Sequence, residues 1–358
     1  MQLLELQVLT NSLQANLTGD DYFERIGEST RQRENSPYTI AFRHGHQGFS
    51  NKHLEKELTS YVAFAQKQLP NPERSSLSEF RKQFTKRYEN QWQPLSLVLD
   101  PDQGIGYAGL SNAGSQDIAS ILPKPAAHLK EIMLDPLARF MLKGMIGGET
   151  IDLKEFRDGD VKQTNLPNTL NILLQQTTSG EWALDHIGGP SATTLLGRFA
   201  KDPQIFSFAN ELASLERDAN PGVKFFDIAY QTGERTDNIN RRPQFYELEL
   251  VLGGWSTHPE QLQLSDLFIN VIGEELVLYS AKYQCRVVPR MASAYNILRS
   301  SNPLLRLLAD LQYQGLQLQY LPDLGQVFTD MDYYPQIKFG KLLLQPAKCK
   351  VPGLAKSS

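Results

Sequence analysis

Arginine is the residue type whose placement says most about possible chemistry in this chain. From Leu276 to Ala309 no acidic residue occurs, yet Lys282, Arg286, Arg290, Arg299 and Arg306 all fall there. The segment GERTDNINRRPQ upstream adds Arg235, Arg241 and Arg242. A guanidinium presents a rigid fork of donors that matches carboxylate or phosphate, so such a region suits recognition of an anionic group. The competing expectation is that these arginines form structural ion pairs with Glu and Asp elsewhere in the chain.

Other chemistries find less support. Arg43-His44-Gly45-His46 places two imidazoles two residues apart, on one face of a strand, but no cysteine or nearby carboxylate completes a tetrahedral set. A solvated strand end is expected there, and no metal. GIGYAG (104–109) has neither the strand–loop–helix setting of a dinucleotide fingerprint nor the GK[ST] of a Walker loop, and reads as a structural turn. There is no GxSxG nucleophile elbow. Cys285, between Tyr283 and Val287 in a strand pattern, reads as a small buried hydrophobe, since a nucleophile would need a depressed pKa. Asp100 and Asp102 flank a proline turn and are not assigned as an acid–base pair. The catalytic residues therefore stay unassigned.

The elements that must position these side chains can be read from periodicity. Residues 52–69 form an amphipathic helix with Leu54, Leu58, Tyr61, Val62, Ala65 and Leu69 on one face and Ser50 or Asn51 as cap. A second helical segment spans 77–91, and a third ends at Gly147-Gly148. ETIDLKEF reads as a short strand entering another helix. From 169 onward strands dominate, among them 169–176, 181–187, 223–231, 244–252, 267–273, 274–281 and 285–290, with 223–230 alternating around a bulge-like slip. Asn270–Glu275 reads as a hairpin turn, 292–315 as a helix broken at Pro303, and 336–346 as a closing strand. Strands and helices do not alternate regularly. The fold expected is α+β: a large, mostly antiparallel sheet with flanking helices.

Composition narrows the class further. Thirty-six basic against forty acidic residues give a net charge of −4, which excludes a polybasic nucleic-acid coat but not a local basic face. No apolar run reaches the roughly 18 residues of a membrane span, and the N-terminus lacks the pattern of a secretory signal. Two cysteines, Cys285 and Cys349, are too few for a disulfide scaffold and suit a cytoplasmic protein.

Seven spaced segments resemble the lantibiotic dehydratase family, specifically its tRNA-dependent glutamylation domain. They are 80–107, IGGPSATTLLGRF (187–199), DIAYQTGERTDNINRRPQFYELEL (227–250), 262–271, ELVLYSAKYQCRVVPRMASAYN (275–296), LLADLQYQG (307–315) and 334–348. The GERTDNINRRP segment is most similar to members from Bacteroidetes-type bacteria. The resemblance implies that residues 1–358 are one partial glutamylation domain, with a candidate internal boundary near 100–115. It also implies glutamyl transfer from glutamyl-tRNA to Ser or Thr of a ribosomally made precursor peptide, in bacteriocin-like natural product biosynthesis. A separate domain would then eliminate glutamate to leave a dehydrated residue. The residues implied in binding glutamyl, tRNA or peptide are Arg198, Glu234, Arg235, Thr236, Asn238, Arg242, Arg290 and Asn296. No bound cofactor is implied; glutamyl-tRNA is a co-substrate.

Departures from the family pattern qualify this. The chain starts well inside the domain as the family shows it, so the leader-peptide-binding element and several site arginines are expected to be missing, as is the elimination domain. No acidic residue occurs between Glu34 and Glu55 where the family has one near Ala41, and Tyr279 stands where an arginine is usual. A fragment or split component is therefore expected, working with a companion dehydratase chain or elimination domain and able to associate with itself. The alternatives are a non-catalytic scaffold that binds a peptide or partner, and a truncated relic.

Overall fold

In the computed structural model of the chain, the described residues are 51–107, 135–148, 150–157, 164–230, 242–253, 256, 258–297, 300–328 and 331–349. All of them belong to one compact unit within Ser50–Ser358.

Helix α1 (Lys52–Gln68) starts where Asn51 Oδ1 accepts the N–H groups of His53 and Leu54 at 3.1 and 3.3 Å, and it buries Tyr61 and Ala65. Helix α2 (Ser75–Tyr88) buries Leu77, Phe80 and Phe84, the three- and four-residue spacing read from the sequence. The chain continues through β1 (Gln93–Pro94), α3 (Leu95–Leu99) and α4 (Pro136–Gly147), the last closed by Gly148 at φ 66°. Strand β2 (Ile151–Asp152) runs into a single 3-10 turn at Leu153–Glu155 instead of the expected helix. Next come β3 (Asn171–Gln176), β4 (Trp182–Gly188), α5 (Thr193–Leu196) and α6 (Pro203–Asp218). Strands β5 (Val223–Tyr230), β6 (Leu248–Leu252), β7 (Gln261–Leu262), β8 (Leu267–Ile272), β9 (Glu275–Ser280) and β10 (Cys285–Pro289) follow. After them come α7 (Pro303–Leu311), α8 (Leu324–Val327), β11 (Tyr333–Tyr334), β12 (Ile337–Phe339), β13 (Leu342–Gln345) and β14 (Lys348–Cys349).

The large sheet has the order β1-β8-β9-β10-β5-β6-β7. Its pairings are antiparallel from β1 to β10 and parallel from β10 through β5 and β6 to β7. The antiparallel reading thus describes one half of the sheet. In the parallel half β5 is buried on both faces, Phe226 and Ile228 in one core and Phe225 in another beside α6. That double burial explains why 223–230 alternates poorly; the strand pairs with both neighbours without a bulge. A second sheet, β2-β12-β13-β4-β3, packs with α1 and α4 around its own core.

Two more expectations are corrected. Residues 290–296 after β10 are not helical; α7 begins at Pro303, with Asn302 Oδ1 accepting the N–H of Leu305 at 3.1 Å. Proline at the first helical position lacks only an N–H that would be unpaired anyway, so Asn-Pro starts a helix here and does not kink one. The closing strand is a hairpin, β12 and β13, turned at Gly340 with φ 60°. The Asn270–Glu275 turn is present as a tight connection between β8 and β9.

Candidate functional site

Of the sequence-predicted residues that the structure describes, Arg242 and Arg290 come together at the parallel pair β5 and β10. The backbone N–H of Arg290 continues their ladder by donating to Phe226 O at 2.8 Å. The Arg290 side chain turns inward: Nε donates to Glu216 Oε2 of α6 at 3.3 Å, Nη1 to Pro289 O at 3.1 Å, and the guanidinium lies 4.8 Å from the Phe225 ring centroid. Glu216 is fully buried and also accepts from Thr169 Oγ1 at 2.6 Å and the Tyr246 hydroxyl at 3.3 Å. The Tyr246 hydroxyl is also hydrogen-bonded with the hydroxyls of Thr193 and Ser191 at 2.7 and 3.2 Å. The GGPSATT stretch is therefore wired into the strand pair by a buried hydroxyl–carboxylate network.

Arg242 forms a second buried pair. Its Nη2 meets Asp227 Oδ1 at 2.5 Å, Nε meets Oδ2 at 3.1 Å, and Nη2 also donates to Ile228 O at 3.1 Å. Burial alone would lower the Arg242 pKa, but the Asp227 carboxylate, with Tyr230 and Glu249 acting in the same direction, reverses this and holds it up. Asp227 lies in register with Glu249 of β6, itself buried, so among the described residues Arg242 is the cation paired into a patch with two carboxylates.

Gly197 locks the GRF turn onto this assembly. A Cβ there would sit 1.8 Å from Ala292 O and 3.0 Å from Arg242 Cδ. Gly197→Ala is expected to lower stability by at least the roughly 1–3 kcal/mol of an overpacked core, read as a shifted urea midpoint. An unshifted midpoint would mean that the turn is not seated on Ala292.

Beyond Arg290 the chain passes Ser293, Tyr295 and Asn296 along a cleft of about 220 Å³ beside α7. Tyr295 packs on Tyr230 with ring centroids 5.7 Å apart. Burial pushes the Tyr230 hydroxyl up to about 12, against the opposing effects of Ser293 and Arg242, and burial alone does the same to Tyr320. A folded value above the unfolded 10.0 adds stability that is complete below pH 10.0 and is lost as pH rises toward about 12. Urea midpoints are expected to fall across that window; a flat profile would contradict burial of these phenols.

Of the remaining sequence candidates, Arg198 is exposed and lies 4.9 Å from the Phe199 ring, so it shares neither the burial nor the carboxylate of Arg290. Asn296 is exposed at the cleft. Glu234, Arg235, Thr236 and Asn238 lie outside the described residues; the nearest described positions on either side are Tyr230 and Arg242. The basic stretch 276–309 does not form one face: Lys282 is exposed, Arg286 pairs with Glu275 at 3.0 Å, and Arg290 is buried. Sequence reasoning missed Asp227, Glu216 and Thr169. The available signal was a carboxylate in the middle of VKFFDIAY, which demands a buried cation.

Other motifs take structural roles. Asp100 Oδ1 accepts the N–H groups of Asp102 and Gln103 at 2.9 and 2.7 Å, and a Cβ on Gly104 would meet Val98 O at 2.3 Å, so GIGY is a turn. Burial raises the pKa of Cys285, away from thiolate character. Arg43–His46 lie outside the described residues, and His53 is exposed on α1. Among the described residues no group of three His, Cys, Asp or Glu could hold a metal ion, and no helix is long and apolar enough to cross a membrane.

The mixed sheet described above is set among known proteins by two comparisons, one of sequence and one of fold. Residues 51–353 match the family described as lantibiotic dehydratase, N terminus, and the chain belongs to that family. Among solved structures it is similar to the tRNA-dependent lantibiotic dehydratase MibB from Microbispora sp. 107891, with TM-score 0.70 and 20% identity over 97% of this chain and 35% of that one. It is also similar to the glutamylation domain of TbtB from thiomuracin biosynthesis, with TM-score 0.53 and 14% identity over 97% of this chain and 46% of that one. These are likenesses of fold, and the chain spans about a third of the first structure's length and under half of the second's. No match is found among curated proteins.

Proposed function

We propose that the chain serves glutamylation in the biosynthesis of a ribosomally made, modified peptide, moving glutamate from glutamyl-tRNA to Ser or Thr hydroxyls of the precursor. The observation that carries the reading is the family match across residues 51–353. The chemistry is sound. Hydroxide leaves poorly and a carboxylate ester leaves well, and the donor arrives already activated on tRNA. The protein's task is then positioning and charge stabilisation.

In this reading the exposed Arg198, together with Glu234, Arg235, Thr236 and Asn238, meets the glutamyl carboxylate or the tRNA end. Arg242 and Arg290, each paired with a buried carboxylate, act as positioning residues that hold β5, β10 and the following segment in place. Asn296 fixes the acceptor at the cleft. The co-substrate is glutamyl-tRNA and no cofactor is bound. The partners are a precursor peptide and a companion dehydratase chain or elimination domain in a bacterial cytoplasm. Phe208 and Leu215, 52% and 59% exposed on α6, support contact with such a companion or self-association.

A second reading, a scaffold that binds a peptide or partner without catalysis, is favoured by Arg242 and Arg290 being spent on buried carboxylates. Filter retention of glutamyl-tRNA separates the two. Retention is expected to exceed that of deacylated tRNA, to fall steeply as salt rises, and to weaken in Arg198→Ala. Equal retention of charged and uncharged tRNA would favour the scaffold.

A further inference from the structure

The cleft beside α7 holds polar groups that the fold leaves unused. Arg306, on the second turn of α7, lines it half-buried. Its natural helical partner would be Asp310, four residues on. Asp310 is already taken: it pairs with Arg74 and accepts from Ser76 Oγ at 2.9 Å and the Tyr107 hydroxyl at 2.6 Å. Among the described residues the Arg306 guanidinium makes no hydrogen bond or ion pair. Thr194 of α5 lines the same cleft, and its hydroxyl is buried without a hydrogen-bond partner. A buried polar atom left unpaired costs stability and calls for an explanation, a bound ligand among them.

Charge and size select the ligand. Arg74 and Asp310 cancel, which leaves Arg306 as the unbalanced charge among the described lining residues. Met291, Ile297 and Tyr295 add apolar wall. A volume of about 220 Å³ is below the roughly 300–1,000 Å³ of pockets for drug-sized molecules, so a nucleotide is too large and an amino-acid side chain fits.

We infer that this cleft is a carboxylate-recognition site in which the Arg306 fork and the Thr194 hydroxyl hold the side-chain carboxylate of a glutamyl group. The inference rests on the glutamylation reading for its choice of acid, while the cleft and its unpaired donors stand without it. The donors are of the right kind: a guanidinium takes a carboxylate bidentately, and a hydroxyl adds a third hydrogen bond.

Ligand-observed NMR on the purified full chain tests it, with L-glutamate, L-glutamine and inorganic phosphate as probes. Glutamate is expected to bind saturably and glutamine not. Arg306→Gln is expected to weaken glutamate by about tenfold or more, as for loss of a charged hydrogen bond. Arg306→Lys, which keeps the charge without the fork, is expected to fall between, Thr194→Val to weaken binding, and Arg81→Gln on α2 to change nothing. Thermal melts of all variants establish that they are folded. Failure of glutamate to saturate the wild type, wild-type affinity in Arg306→Gln, or preference for phosphate would each overturn the inference. Glutamyl transfer that persists beside unchanged binding in Arg306→Gln would sink the cleft and spare the proposed function. Arg306-dependent binding without any transfer would do the reverse.

Discussion

Replacing Arg290 with methionine is expected to destabilise the fold by about 3–5 kcal/mol, because it strips the cation from a buried pair and leaves the carboxylate behind. Glu216 has no exposed side-chain surface and the Arg290 side chain only 8%, so water cannot substitute for the lost guanidinium. The hydrogen bonds from Thr169 and Tyr246 to Glu216 would remain, but hydroxyl dipoles do not neutralise a charge. The loss extends beyond the pair, since the same hydroxyls tie the GGPSATT stretch to the sheet. A double variant, Arg290→Met with Glu216→Gln, is expected to recover much of the loss, because the orphaned charge disappears with its partner. Urea denaturation of the wild type and three variants measures the cycle. A loss below about 1 kcal/mol for Arg290→Met, the scale of an exposed pair, would mean that this arginine lies at the surface and is available to substrate.

Arg242→Met is expected to cost a similar 3–5 kcal/mol, through a different neighbourhood. Asp227 would keep the adjacent Ile228 N–H at 2.7 Å, a neutral donor, and it sits in register with buried Glu249. Among the described residues, two carboxylates would then share one buried patch without the guanidinium that pairs with Asp227. Asp227→Asn in the same chain is expected to relieve most of the penalty, and this rescue separates charge from packing. Because Gly197, Ala292 and Arg242 pack together, the single variant is also expected to loosen the segment that leads to Asn296. Proteolysis within 290–300 reads that loosening. No change in stability and no new cleavage would place Arg242 outside the framework.

Much of the framework was legible in the sequence because its signals are local. Asn51 and the 52–69 periodicity give α1, Leu77, Phe80 and Phe84 give α2, and the strands between 223 and 289 are β-branched and aromatic runs bounded by turn residues. Helix α6 carried equally local signals, Asp202 as cap and Pro203 at the first position, but lay between the strands read at 181–187 and 223–231, in a stretch given no element. Non-local features were hidden. The parallel half of the sheet depends on β5 being covered on both faces, which a single strand read for two-residue alternation shows only as an imperfect pattern. The arginines make the point most sharply. Arg198, Arg242, Arg290 and Arg306 look alike in sequence. Folding leaves one exposed, gives two a buried carboxylate, and leaves Arg306 facing a cleft with its helical partner already engaged. What separates them is the tertiary placement of Glu216, Asp227 and Asp310.

The most direct test of the function proposed is glutamyl transfer itself. The purified chain would be incubated with labelled glutamyl-tRNA and a Ser/Thr-containing precursor peptide, alone and with a companion dehydratase chain, and the peptide analysed by tandem mass spectrometry. The expected result is a glutamyl ester on a Ser or Thr side chain, dependent on this chain and absent when those residues are alanine. A folded protein and intact glutamyl-tRNA that give no adduct in either arm would contradict a role in glutamylation and leave the binding scaffold in its place.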